Sequence, residues 1–503
     1  MSRGAYNAAV IARHGPRYSF SPEVRRLAEQ ALCRAGGAAV VGGNSIDLLI
    51  DAADNYAAWL GALRAARSDV LLENYIIRDD DVGREFLAAL VERARAGVKV
   101  RVIADWLGCL GQSRRAFWRP LQDAGGEVRR YNPFRFSSPL GWINRDHRKL
   151  LMVDRDVAFV GGICISARWL GDPKRGVAPW RDTAVALRGP VIVEFEQAFA
   201  DTWAQLGEPL PPSTLAPPRQ HGTIDARVIA TQPDTAGMFR LDQLIAALAQ
   251  RSLWISDAYF VGLAPYVQAL IAAARDGVDV RLLVPGASDL PVVRSLSQSG
   301  YRPLLEAGVR VFEWNGSMMH AKTAVADRRW ARVGSSNLNI ASWIGNCELD
   351  VAIEDSDFAA RMEQQYLRDL EQSTEIVLHA KRARRARGTG TARHVSGSAG
   401  GSASRAAASA LRIAHSVGTA LGNRRVLDRS ESSILPWFVA GALAAAVVGF
   451  AWPRVLAWPL ALILAWLGCG LLARYVQTRR ATRRRGAGAV PPPAAATVES
   501  HER

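Results

Sequence analysis

The sequence predicts an α/β protein built from two copies of one repeat. Three observations predict it. The pattern H-x-K-x4-D occurs twice, as His147-Arg148-Lys149 with Asp154 and as His320-Ala321-Lys322 with Asp327, the histidines 173 residues apart (320 − 147). Each Asp is followed by a small-residue turn, Gly161-Gly162 in the first copy and Gly334-Ser335-Ser336-Asn337 in the second. Residues 68–105 parallel residues 251–286, and both read as strand, loop, amphipathic helix, glycine, strand. That alternation is the signature of α/β architecture. One such motif could arise by chance. Two with matching trailers point to internal duplication and to one composite site across a pseudo-two-fold axis.

In chain order, residues 1–36 read as an N-terminal helical extension. They lack the apolar core of a signal peptide, and Ser21-Pro22 opens a short helix. The first repeat is placed at 37–207 and the second at 220–380. The Pro-rich stretch at 208–219 is the linker between them. Asp79, Asp80 and Asp81 resemble a metal cluster, but acids before a helix are better read as its cap. Residues 381–432 form a basic, flexible linker whose segment 405–421 has a modest apolar stripe suited to an interfacial helix or to an exposed Ala-rich one. Residues 433–475 read as a transmembrane helical hairpin, and 476–503 as a basic, Pro/Ala-rich disordered tail.

The motif spacing has a physical reading. The segments 149–154 and 322–327 are apolar, so each motif opens a buried strand. Residues i and i+2 of a strand share a face, so His147 points with Lys149, and His320 with Lys322. Histidine suits proton transfer and nucleophilic attack near neutral pH. A neighbouring lysine supplies fixed positive charge for an anionic substrate. Two facing pairs make a pocket for a phosphodiester, one His attacking phosphorus and the other protonating the leaving oxygen. Metal ligation is disfavoured, since protonated lysine is a poor ligand and no Cys/His cluster accompanies it. No cofactor is expected. Downstream of each His lies an acid: Asp182 is 35 residues after His147, and Glu348 is 28 after His320. A carboxylate on one ring nitrogen would fix the tautomer and stabilise the imidazolium. By sequence alone either acid could equally be a surface residue beside a strand.

These residues resemble the phospholipase D superfamily, whose signature is this H-x-K-x4-D followed by G-[GS]-x-N. More narrowly, segments 146–162, 180–190, 301–314 and 319–339 are similar to bacterial cardiolipin synthases. The resemblance implies a phospholipase D-like fold of two α/β/α-sandwich repeats and metal-independent, two-step transfer through a phosphohistidine. It implies that His147, Lys149, His320 and Lys322 are catalytic, with His147 as the nucleophile, and that Asp182 and Glu348 orient the histidines. Asp154 and Asp327 become structural residues of the strand-turn. Gly162, Cys164, Ser335 and Asn337 fall at the substrate-binding positions. One position departs from the pattern: Cys164 stands where the first turn should carry Asn. A thiol donates weakly and often packs, so the site is read as modulated rather than dead.

The net charge is +16, yet it is concentrated in the tail. Residues 381–430 hold eleven Lys or Arg against one Asp, and residues 431–503 eight Arg against three Glu. About +1 is left for residues 1–380, so no nucleic-acid substrate is expected. A basic segment beside a membrane span fits anionic lipid instead. From Ile434 to Ala473 the only charge is Arg454. About 20 apolar residues cross a bilayer, so this stretch fits two passes turning at Trp452-Pro453-Arg454. Basic residues on both flanks place both ends in the cytoplasm. Five scattered cysteines fit a reducing compartment. The expectation is therefore a phosphatidyltransferase of the bacterial inner membrane, its catalytic domain facing the cytoplasm and its substrate a phospholipid, phosphatidylglycerol by resemblance. The alternatives are a hydrolytic phospholipase D or other phosphodiesterase and a non-catalytic membrane scaffold.

Overall fold

Apolar runs flanked by helices fold here as strands covered on both faces, the usual fate of such runs in α/β proteins. The structure is a computed structural model and describes residues 22–134, 143–233, 235–378 and 465–466. The chain divides into two units, before and after Leu378, and the first contains everything set out below. Helix α1 (Pro22–Gly36) precedes the first repeat. That repeat comprises β1 (Val41–Ile50), α2 (Asp51–Ala65), β2 (Asp69–Asn74), α3 (Asp81–Arg95), β3 (Lys99–Asp105), α4 (Arg115–Asp123), β4 (Glu127–Tyr131), β5 (Lys149–Val153), β6 (Val157–Gly161), β7 (Thr183–Arg188) and α5 (Ile192–Gln205). The second comprises β8 (Ile224–Thr231), α6 (Gly237–Leu248), β9 (Ser252–Ser256), α7 (Ala264–Arg275), β10 (Asp279–Pro285), α8 (Pro291–Ser299), α9 (Tyr301–Glu306), β11 (Arg310–Trp314), β12 (Thr323–Ala326), β13 (Trp330–Gly334), β14 (Glu348–Glu354), α10 (Ser356–Glu371) and β15 (Ser373–Ile376).

Hydrogen-bonded strand order states the duplication directly. It runs β15-β11-β10-β9-β12-β13-β14-β8 and then β1-β7-β6-β5-β2-β3-β4. Apart from β15, each half is the mirror of the other about the β8–β1 junction. The junction itself is a short antiparallel pairing of N-terminal ends, Val41 with Ala226 and Asn44 with Ile224. Beyond it the two halves turn toward each other, so that β6 and β7 lie against β13 and β14.

Three cores follow. One lies on the outer face of the first repeat under α2, α3 and α4, and one on the outer face of the second under α6, α7 and α9. The third is shared by both repeats and takes in α5 and α10. On α5 the residues Phe195, Phe199 and Trp203 recur every fourth position and are all buried, the stripe a helix needs to face a core. Truncating Phe199 to Ala would cost about 3–5 kcal/mol.

The motif aspartates hold this framework. Asp154 and Arg155 (φ 54° and 55°) and Asp327 and Arg328 (φ 52° and 56°) form left-handed turns between β5 and β6 and between β12 and β13. Asp tolerates this conformation better than most residues. The Asp154 carboxylate accepts the backbone N–H groups of Arg67, Ser68 and Asp69 at 2.8, 2.7 and 2.9 Å. Asp327 does the same for Gln250, Arg251 and Ser252 at 2.9, 2.7 and 3.0 Å. Each therefore clamps its hairpin to the start of the neighbouring strand, β2 or β9. Asp80 caps α3, accepting from Gly83 N–H at 3.0 Å, and its other oxygen takes the Ser166 hydroxyl at 3.0 Å.

The expected hairpin at 433–475, the linker at 381–432 and the tail at 476–503 lie outside the described residues, save 465–466. Among the described residues no helix is long and apolar enough to cross a membrane.

Candidate active site

Strand alternation sets the first feature of the site. His147 stands two residues before β5, and Lys149 is the strand's first residue. The Lys149 ammonium donates to the His147 carbonyl, and Lys322 repeats this with the His320 carbonyl. Arg148, the residue between, points the other way. Its guanidinium donates to Ala198 O at 2.7 Å and Thr202 Oγ1 at 2.8 Å on α5, and to Glu348 O at 3.2 Å. In the second copy this position is Ala321, buried in the shared core.

Two backbone bridges then join the repeats. His147 N–H donates to Cys347 O at 2.9 Å, and Cys347 N–H to Arg145 O at 2.8 Å. His320 N–H donates to Arg181 O at 2.7 Å, and Arg181 N–H to Met318 O at 2.8 Å. Each bridge sets a histidine beside the acid of the other repeat. Glu348 lies 2.9 and 3.1 Å from His147 Nδ1, and Asp182 lies 2.8 Å from His320 Nδ1. Sequence spacing paired each acid with the histidine upstream in its own repeat. The structure exchanges them, because Asp182 directly precedes β7 and Glu348 opens β14, and these strands lie against the opposite half. Nδ1 is engaged on both rings, so Nε2 is the nitrogen left for substrate.

Each acid is held by further donors. Asp182 accepts Trp169 Nε1–H at 2.9 Å and the Thr183 N–H at 2.8 Å. Glu348 accepts the Ser335 hydroxyl at 2.6 Å and the Asn346 amide at 3.3 Å. Ser335, expected at substrate, thus braces an acid. Gly162, expected there too, makes room for one: a Cβ on it would stand 2.2 Å from Asp182 Oδ1. Cys164 is buried, and burial pushes its thiol up. Its carbonyl takes the Tyr56 hydroxyl at 2.5 Å. Of the four positions only Asn337 presents an open polar atom, its buried Oδ1 having no hydrogen-bond partner.

Charge at the centre is balanced. Lys149, Lys322, Asp182 and Glu348 are each fully buried, two cations against two anions, which is the condition for keeping ions out of water. Burial draws the proton affinity of both histidines down, that of His320 to about 4 with the Lys322 charge adding to the effect. Both rings are therefore neutral at pH 7. Burial works against ionisation of Asp182 and Glu348, but the facing histidines and lysines hold both below the ordinary carboxylate value. Burial, with repulsion from Lys149, brings Lys322 down to about 8.

Sequence reasoning missed the aromatic walls and the buried arginines. Tyr75 packs edge-on to His147 at 4.8 Å with Lys149 Nζ 5.2 Å from its ring. Tyr259 packs edge-on to His320 at 5.9 Å with Lys322 Nζ 5.7 Å away. Trp169 and Trp180 enclose His320 at 5.2 and 5.5 Å. The signal was available, since both tyrosines follow the paired strands β2 and β9. Arg181 binds Asp369 in bidentate fashion at 2.8 and 2.9 Å and so ties the Asp182 bridge to α10. Among the described residues no group of three or more His, Cys, Asp or Glu is arranged to hold a metal ion.

A family profile described as "Cardiolipin synthase, PLD-like domain" matches residues 60–202 and 243–370, the segments that bear both motifs and both acids. The chain belongs to the phospholipase D-like cardiolipin synthase family. It is 33% identical over 374 residues to a cardiolipin synthase of Alkalihalophilus pseudofirmus, covering 70% of this chain and 74% of that one. It is 31% identical to cardiolipin synthase A of Pseudomonas syringae pv. syringae, covering 73% and 75%. Among solved structures, phosphatidylserine synthase of Haemophilus influenzae superposes with a TM-score of 0.55 at 13% identity, covering 69% of this chain and 91% of that one. At that identity the likeness is one of fold.

Proposed function

We propose that the chain is a phosphatidyltransferase that joins two phosphatidylglycerols into cardiolipin and glycerol. The observation that carries this is the exchanged His–acid geometry: two neutral imidazoles, each with Nδ1 held by a buried carboxylate, beside two buried lysines. His147 Nε2 attacks phosphorus of the first lipid, and the bond from phosphorus to the glycerol oxygen breaks. His320 gives its Nε2 proton to that oxygen, and glycerol leaves. The phosphatidyl group is then on His147. A hydroxyl of the second phosphatidylglycerol attacks it, returning a proton to His320 as the phosphorus–nitrogen bond breaks.

Lys149 and Lys322 hold the phosphoryl oxygens, and the Asn337 side-chain amide donates an N–H to one of them. At rest burial, with the two lysines opposing a third positive charge, keeps both histidines unprotonated. A bound phosphodiester offsets that charge and raises the proton affinity of the ring beside the leaving oxygen. Asp182 stabilises the imidazolium so formed, as carboxylates do in acid–base pairs generally. Glu348 does the same for His147 as it gains the phosphoryl group.

The choice of phosphatidylglycerol rests on the named activity of relatives about one-third identical over most of their length. The same reading puts the protein at the bacterial inner membrane with its catalytic repeats in the cytoplasm, held by the apolar stretch 434–473. Incubating the purified chain with phosphatidylglycerol tests it. Cardiolipin and glycerol in equal amounts are expected. Phosphatidic acid as the only lipid product would make the protein a hydrolase, and no turnover would refute both.

A further inference from the structure

We propose that the loops around the mouth of the site form a second membrane-docking surface that seats the catalytic repeats on an anionic bilayer. The inference deepens the phosphatidyltransferase reading, which supplies lipid as substrate. It rests on what surrounds the site rather than on the chain beyond Leu378.

The topology defines one edge. The C-terminal ends of β3, β6, β10 and β13 all lie at the edge of the halves where the two histidines meet, because β5 and β12, which the motifs open, run antiparallel to β2 and β9. The opposite edge holds the β1–β8 junction. Exposed large hydrophobic side chains gather at the first edge. Leu110 follows β3 and Val177 lies between β6 and β7. Val292 and Leu296 follow β10, and Ile340 and Ile344 follow β13. Their exposures run from 38 to 64%, with Val292 at 64% and Leu296 at 54%. Those two are i and i+4 on α8, one outward stripe of a helix.

Apolar side chains brought from both repeats to one rim are not random scatter, and such patches mark contact surfaces. The occupant follows from charge. Arg114, Arg115, Lys174 and Arg294 are exposed on the same loops. Three of the acids there are engaged: Asp79 lies 2.8 Å from Arg84, Asp289 accepts the Tyr259 hydroxyl at 2.7 Å, and Asp172 accepts the Lys174 and Arg175 backbone N–H groups at 3.1 and 3.3 Å; Asp81 stays exposed, 3.9 Å from Arg84. Apolar residues set among cations fit the headgroup layer of an anionic membrane, where each basic residue adds attraction and each apolar side chain inserts. The site beneath needs a phosphodiester delivered from that layer.

The test uses the full chain in vesicles of phosphatidylglycerol and phosphatidylcholine. An environment-sensitive fluorophore is placed at Val292→Cys, at Leu296→Cys and, on the opposite edge, at Ala96→Cys, with the labelled unsubstituted chain as background. Quenchers embedded in the acyl chains should quench the first two labels at least fivefold more than the third. In parallel, V292E/L296E should lose at least tenfold in turnover on dilute vesicles while keeping turnover in mixed micelles within twofold. Equal quenching at both edges, or unchanged vesicle turnover in V292E/L296E, would overturn the proposal. Failure of the phosphatidyltransferase reading shows itself separately, as absent turnover in micelles with the quenching pattern intact.

Discussion

Replacing Asp182 by Asn removes a charge and almost no volume. Asp182 Oδ2 accepts two donors, His320 Nδ1–H at 2.8 Å and Trp169 Nε1–H at 2.9 Å, while Oδ1 accepts Thr183 N–H at 2.8 Å. An amide can keep the Thr183 bond only by turning its NH2 toward the other two. Trp169 then has a buried N–H facing another donor, which costs about 1–3 kcal/mol of stability. His320 must move its proton to Nε2 to accept from the amide, the wrong tautomer for returning protons through that nitrogen. The imidazolium also loses its counter-charge, and two buried lysines face one carboxylate. Loss of the orienting acid in such pairs lowers turnover by about 10³–10⁴-fold, equivalent to about 4–5.5 kcal/mol of barrier. Initial rates with phosphatidylglycerol in mixed micelles, beside a thermal melt to check folding, measure it. A loss under tenfold in a folded protein would refute the role. Ring-nitrogen NMR tests the exchange of partners: Asp182→Asn should abolish the hydrogen-bonded Nδ1 proton of His320 and spare that of His147, with Glu348→Gln doing the reverse. The opposite assignment would refute the exchanged pairing.

Asp154→Ala and Asp327→Ala should each destabilise the fold by about 3 kcal/mol or more in urea unfolding, since each carboxylate accepts three backbone N–H groups. Lys322 sits at about 8, so it is protonated below that pH and neutral above it. The pH profile of kcat/KM should therefore fall on the alkaline side with a midpoint near that value, whereas a plateau to pH 10 would contradict its charge role. Asn337→Ala should lower kcat/KM by about tenfold, the value of about one hydrogen bond to a charged group. Cys164→Ser should keep activity within a few-fold, because the thiol is buried and raised rather than activated. Inactivation of Cys164→Ser would show that the thiol takes part in the chemistry.

The duplication and its strand–helix order were legible because apolar periodicity and a repeated motif are local signals. H-x-K spacing also put His and Lys on one face; that Arg148 turns to α5 is known only from the structure. The exchange of Asp182 and Glu348 was not legible. Distance along the chain favoured the same-repeat pairing, and only the folding together of β6 and β7 with β13 and β14 reverses it. The motif aspartates were assigned to the turn, yet their real partners are backbone groups of Arg67–Asp69 and Gln250–Ser252, which no spacing rule indicates. Ser335 and Gly162 illustrate a further limit. Their residue types suited a phosphate cradle, but their neighbours in space are carboxylates. Tyr75 and Tyr259 passed unnoticed because an aromatic at the end of an apolar strand looks like core.

The central claim is covalent transfer through one histidine of a composite site. Phosphatidylglycerol labelled with ³²P at its phosphodiester, mixed with the full-length protein and quenched in alkali within a turnover, tests it most directly. An alkali-stable, acid-labile phosphoenzyme is expected on the peptide bearing His147, absent from His147→Ala and discharged as cardiolipin when unlabelled phosphatidylglycerol follows. Cardiolipin formed with no labelled protein at any time, or label that maps to a residue other than His147 or His320, would contradict it.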